Sequence, residues 1–415
     1  MKVQRWIGSG IALILAAGIS GRASGQESDQ LTAADLAGVR GRSTVVTPHR
    51  HLNGQGHARQ GIFGIDSLPN FNGHFFTPGF DPFGNPNSHW YYNTVGNPPN
   101  MHGTTTINAP VVPVIMDLRN ADGTPRFVGG KPLVSPIAQF VQPTLDSPVF
   151  QNSTFGSSSV PTQVTDAIHR AEYFSQAKDD WHTLLAPVVK PARTMVLLRG
   201  TYRFALNPDG SCCAFIFVDI GTFEDKLFDI IVDAIVTGDE TTQDMATFLF
   251  PDTYLYFNND PSQCCVLGFH TYVFDDSDPK VEQRWVLNYS SWISTTIFGA
   301  AFTDVTALSH EIAETYNDPF VASDLVHDVT PWWLGPQGNC DDVLETGDVI
   351  EGLPNATFPI TLNTSGGPFT YHPQNEALLQ WFASETPSSA FGGAYSFPDM
   401  TVLPTANVSQ RPGCQ

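Results

Sequence analysis

Basic residues are scarce in this chain. Twenty Lys and Arg stand against 41 Asp and Glu, a formal charge of −21. Nucleic acid and anionic membrane surfaces select basic footprints, so neither is an expected partner. Beyond the N-terminal segment no run of about eighteen apolar residues occurs, so no spanning helix is expected there. No cysteine precedes Cys212, and no C-x-x-C-like half with zinc-ligand spacing exists, which argues against a cysteine zinc module. The serine-hydrolase elbow G-x-S-x-G is also missing, although fragments such as "TSGG" occur. Regular β-α-β alternation and internal repeats are absent too, which counts against a doubly wound sheet or a solenoid.

What is present begins with Lys2 and Arg5, an apolar run from Trp6 to Ile19, and small residues Ala23 and Gly25 before Gln26. Residues 1–25 read as a secretory signal peptide, so the mature chain is expected outside the cell and off the membrane. Its removal takes away three basic residues and no acidic one, leaving 17 against 41, or −24. In an exported protein the even count of six cysteines implies disulfides, with 15 possible connectivities. Two vicinal pairs, "GSCCAFIFVDI" and "SQCCVLGFHTYVF", each precede a strand-like run. Alternating side-chain direction would let one cysteine of each pair meet its counterpart across strands, leaving Cys340 and Cys414 to close the C-terminal region. Residues 26–105 are rich in Gly, Asn, Pro, His and aromatics, and hold six of the twelve histidines. This stretch reads as an arm, a propeptide or a spacer, with a metal-buffering tract as the minority reading because the spacing is irregular.

From residue 106 to 415 the pattern is globular. "APVVPVIMDL" (109–118) reads as a buried strand and 164–177 as a helix. Residues 223–238 carry Leu227, Ile230, Ile231 and Ala234 at helical spacing. The segment 303–316, "TDVTALSHEIAETY", is the next helix, with Thr303 as its expected N-cap and Asn317-Asp318-Pro319 ending it. The fold class expected is α+β with a mixed sheet.

That last helix carries His-Glu-x-x-Glu. At 100° per residue Val305, Leu308, Ile312 and Tyr316 form one apolar stripe, while His310 and Glu314 project together from the opposite side. Residues one turn apart can share one cation, and Glu311 then hangs beside it, placed to take a proton from a bound water. The competing reading is the solvated polar face of an ordinary amphipathic helix. Downstream, "NCDDVLETGDVIEG" (339–352) offers Asp341, Asp342, Glu345 and Asp348 as sources of a third ligand. His327 is a rival third ligand. The ten-residue offset of metzincins lands on Phe320 and excludes that arrangement.

"ALSHEIAETYNDP" followed by "ETGDVIEG" resembles the Exordium (phosphate-induced) family and related secreted proteins. Those carry S-H-E-[LI]-A-E-x-x-[TN]-[DN]-P, a tryptophan-containing loop, then E-I-[AG]-D; Trp332-Trp333 sits in the corresponding place here. "VLGFHTYV" (266–273) is similar to the G-[YW]-H-S strand of that family. The resemblance covers roughly residues 105–385 and implies a zincin-like metallopeptidase fold with an active-site helix. It matches His310 and Glu314 to metal ligands, Glu311 to the base, and Glu345 and Asp348 to the two acidic positions, with Glu345 the slightly preferred ligand. Asp318 reads as a helix-end cap, and His270 as a packed strand residue or a substrate-side group.

One imidazole and two carboxylates would bring Zn²⁺ to zero net charge and acidify its water less than a His₂Glu set would. Oxygen ligands also admit Mn²⁺, Ca²⁺ or Fe²⁺, though the retained imidazole keeps zinc first. The expected function is a secreted zinc peptidase, with Glu311 as general base on a metal-bound water and a peptide or extracellular polymer as substrate. The alternative is a non-catalytic extracellular binding protein with a structural metal, binding through aromatic loops such as "TPWWLG".

Overall fold

The computed structural model describes residues 29–36, 50–52, 64–78, 87–156, 160–207, 214–295, 297–299, 302–321, 333–341 and 343–407. The expected signal peptide, His327, Trp332, Asp342, Cys212, Cys213 and Cys414 lie outside them.

The principal elements, in chain order, are strand β1 (Arg50–His51), β2 (Asn70–Pro78), β3 (Asn87–Val95) and β4 (Thr104–Arg119). Helix α1 (Val164–Glu172), strands β5 (His182–Val189) and β6 (Arg193–Leu198) and helix α2 (Ile220–Val236) come next. Strands β7 (Met245–Pro251), β8 (Gly268–Asp275) and β9 (Glu282–Trp292) then lead to helix α3 (Thr306–Asn317). A nine-stranded mixed sheet runs β1-β8-β9-β7-β4-β6, with β5 alongside the first half of β4. Strands β5, β6 and β7 are parallel to β4, and β9 to β7; β8, with β1 parallel beside it, turns back antiparallel to β9, setting His270 opposite Asn288.

Strand β4 explains the layering. Its first residues alternate exposed and buried, but Ala109–Val114 are all buried, as expected where neighbours flank both edges and both faces are covered. Ile107, Ala109 and Val111 join one core with Val164 and Ile168 of α1 and Leu308 and Ile312 of α3. Val112, Val114 and Met116 join a second core with Phe223, Leu227, Ile230, Ile231 and Ala234 of α2. Helices thus cover both faces, and the stripe predicted for α2 is its buried side. The Asp219 side chain caps α2 by accepting from Gly221 N at 3.1 Å.

Several expectations need correction. Helix α3 starts at Thr306, three residues late: Val305 holds the N-cap position without a side-chain bond, and the Thr303 hydroxyl instead reaches the Ile293 carbonyl at 3.4 Å. Its end is where Asn317-Asp318-Pro319 puts it, with Asp318 N donating to Glu314 O at 2.7 Å. Helix α1 stops at Glu172, where Tyr173 turns the chain to bury its ring against Trp181. Of the cysteines expected to pair across strands, Cys212 and Cys213 lie outside the described residues, while Cys264 and Cys265 are buried neighbours. The "TPWWLG" loop is no exposed aromatic platform at Trp333, which is buried among Trp381 and Phe382 with its indole N–H on the Val343 carbonyl. Within 26–105, β2 and β3 form a hairpin whose Trp90 is buried against Phe75 and Phe382, and β1 pairs with β8. No helix among the described residues is long and apolar enough to cross a membrane.

Candidate metal centre

Helix α3 packs its stripe of Leu308, Ile312 and Tyr316, with Val305 at the N-cap, into the core. Its opposite side is covered as well, by β8 and the segment 343–351, so Glu311 and Glu314 are 4% and 2% exposed. That excludes the solvated-face reading. Buried carboxylates must find protein donors, a proton or a cation.

The side chains converge at a cleft open to solvent. His310 Nε2 lies 3.1 Å from Glu314 Oε2 and 3.4 Å from Asp348 Oδ1. Glu311 Oε1 is 4.0 Å from the same nitrogen. From β8, His270 Nδ1 faces Glu314 Oε2 and Glu345 Oε2 at 3.6 Å each, and Glu311 Oε2 at 3.7 Å. The five residues matched through the resemblance therefore line one cleft, and His270 and Glu351 line it with them. Asp348 stands with His310; Glu345 stands with His270. Another His/Asp cluster, His51 with Asp275 and Asp276, sits at the far end of β8, where His51 Nε2 already contacts Asp276 at 2.6 Å.

Two glycines make this convergence possible. A Cβ on Gly268 would lie 2.5 Å from Glu311 Oε1, and one on Gly347 2.6 Å from His310 Nδ1. Neither site has room for a side chain. Gly347 N and Asp348 N donate to Glu314 Oε1 at 2.9 and 3.2 Å, which turns the other oxygen toward both histidines. Gln374 Nε2 holds this turn through the Gly347 carbonyl at 2.8 Å. The glycine in "GFH", read beside "ETGD", is the signal that could have promoted His270 from a packed strand residue.

The electrostatics follow from burial. It drives the Glu311 carboxyl up to about 7 against the pull of His270 and His310, and Asp348 up to about 6. Glu345 rises well above the usual range through burial and the nearby Glu314 charge. Glu314 goes the other way: burial opposes ionisation, yet His310 and His270 hold it below the usual range. Burial also disfavours both imidazolium ions, but the facing carboxylates outweigh it and raise His270 and His310. Protons on the histidines thus stand where a cation would serve better. The donor set fits one, since imidazole with carboxylates suits Zn²⁺, Mn²⁺ or Fe²⁺, and Glu345 Oε2 has no hydrogen-bond partner.

Comparison with known protein families, with curated proteins and with solved structures finds no match to the chain. The reading of the cleft rests on its own chemistry.

Proposed function

We propose that this chain is an exported metal-dependent hydrolase, with zinc as the first choice of metal and peptides as substrate. One observation carries the reading. The Glu311 carboxylate hangs between two imidazoles, beside the His310–Glu314–Asp348 donor set, in a cleft that reaches solvent. His310, Glu314 and Asp348 would hold the cation, which when bound polarises a carbonyl and acidifies water. Glu311, beside that donor set, is placed to accept a proton and return it to a leaving amine. Phe274 O accepts from Leu52 N, so alternation points the backbone groups of Gly268, His270 and Tyr272 to the same outer edge of β8. Among the described residues β1 pairs only with Val273 and Phe274 on that side. An extended peptide can pair along the remainder. A zincin-like architecture and the Exordium resemblance belong to this proposal and are supported by the same residues.

The test is cleavage of a broad peptide library by the purified chain, with and without chelator. Glu311→Gln should keep the metal and lose about 10²- to 10⁴-fold in turnover. Chelator-insensitive or absent cleavage, with metal still raising the melting temperature, would replace this reading by a non-catalytic extracellular binding protein with a structural metal.

A further inference from the structure

We propose that the cleft holds two divalent cations rather than one, with Glu314 Oε2 shared between them. The inference rests on the metal-binding part of the reading above and goes beyond it. The donors fall into two sets, His310–Glu314–Asp348 and His270–Glu311–Glu314, each with its atoms within 4.8 Å of one another. The same Glu314 oxygen lies 3.1 Å from one imidazole nitrogen and 3.6 Å from the other. Ligands at about 2.0–2.2 Å place the donors of a tetrahedral ion roughly 3.4 Å apart, and the contacts around each histidine match that spacing. Glu345 supplies the independent sign of a missing partner. It is 4% exposed, its Oε2 has no hydrogen-bond partner, and that atom faces His270 Nδ1 at 3.6 Å.

Charge leads to the same count. Glu311, Glu314, Glu345, Asp348 and Glu351 bring five negative charges when ionised, and among the described residues no Lys or Arg lines the cleft. One dication leaves three charges unbalanced in a buried site; two dications leave a single one with both imidazoles neutral. Two-metal hydrolytic centres hold their ions about 3.5–4 Å apart and use them on opposite sides of the reacting group. Glu311 hangs between the two histidine sides, Oε2 toward His270 and Oε1 toward His310, and in this arrangement keeps the base's role rather than a ligand's. His270 and Glu345 belong to the second ion alone, and Asp348 to the first.

The experiment strips the full chain with chelator, reloads it with Mn²⁺, and counts bound metal by elemental analysis beside its electron paramagnetic resonance spectrum. Two ions per chain with an exchange-coupled spectrum are expected. His270→Ala and Glu345→Gln should each leave one ion and an uncoupled spectrum, and Asp348→Asn should do the same from the other side. Should His270→Ala fail to fold by circular dichroism, the nearly isosteric Glu345→Gln carries the comparison. One ion in the wild type, kept in His270→Ala and lost in His310→Ala, overturns the second site and leaves the single-metal hydrolase standing. No retained Mn²⁺ or Zn²⁺ in the wild type overturns both.

Discussion

Asp166 on α1 and Glu311 and Glu314 on α3 are all buried, on helices that pack against each other in one core. They are treated differently by the chain. Asp166 Oδ1 accepts from Thr183 N at 2.7 Å, and its Oδ2 takes Thr162 Oγ1 at 2.6 Å and His182 Nδ1 at 2.7 Å. Every lone pair that matters is met by a protein donor. In the cleft only Glu314 is held by backbone amides, while Glu345 Oε2 is bare and Glu311 faces histidines at 3.7 Å or more. Burial of charge is common to both regions and so cannot mark a site. What separates them is whether the fold supplies the counter-dipoles itself. Around Asp166 it does, which makes a strut; in the cleft it leaves them to a ligand.

The sharpest way to break this contrast is to remove a member of each. His310→Ala should abolish metal retention while the metal-free chain stays folded. Asp166→Ala should cost about 1–3 kcal/mol of stability, the range for leaving a buried donor unsatisfied, while leaving metal content unchanged. Denaturant titration and elemental analysis of both variants decide it. Metal loss in Asp166→Ala without a stability change would erase the distinction.

Gly347→Ala is the next probe. Its Cβ would lie 2.6 Å from His310 Nδ1, so the ring must move. Positioning groups behind a ligand are worth about 10–100-fold in affinity, and a loss of that size is expected in a competitive chelator titration. An unchanged affinity would mean that His310 is not fixed from behind by the turn.

These glycines bear on what the sequence could reveal. The apolar stripe of α3 was legible because burial repeats at helical spacing, and so were Leu227, Ile230, Ile231 and Ala234 of α2. The pairing of His310 with Glu314 was legible because it is local, one turn apart. His270 was not, because its approach to Glu345 depends on β8 turning back against β9, a contact spanning 75 residues that no local period encodes. Thr303 misled for a related reason: its hydroxyl has a tertiary partner at Ile293, which overrides the capping preference. The split of Glu345 and Asp348 between two histidines also lay beyond an E-x-x-D match, since spacing in a turn does not say which way each carboxylate faces.

Glu172 is the exception within the strut region, and it sharpens the contrast by degree. Its Oε2 accepts from Leu379 N at 3.0 Å and from Asn317 at 3.4 Å, but Oε1 has no partner. Burial consequently pushes its carboxyl up from 4.5 to about 8. A raised folded-state value contributes stability that is full below the unfolded value and is lost as pH rises through the folded one. Between pH 4.5 and 8 this group should erode stability by up to about 1.4 kcal/mol per pH unit. Glu172→Gln lacks that proton, so its stability should fall less steeply over the window, measured by denaturant midpoint at several pH values. Parallel slopes for the two chains would count against a neutral Glu172.

Thr346→Val carries the smallest expected effect and locates the border between the two regimes. Thr346 Oγ1 donates to Glu376 Oε2 at 3.1 Å, directly behind the cleft, while Glu376 Oε1 has no partner. Burial raises the Glu376 carboxyl well above the usual range, with His310 pulling it down and Glu314 adding to the rise. A neutral carboxyl loses one ordinary hydrogen bond when the hydroxyl becomes a methyl, a cost of about 1 kcal/mol. If Glu376 belongs to the frame, Thr346→Val should show that loss at unchanged metal affinity. If it belongs to the metal centre, freeing its oxygen would change metal affinity as well, and the acidic ligand set would extend one layer deeper than His310 and Asp348 indicate.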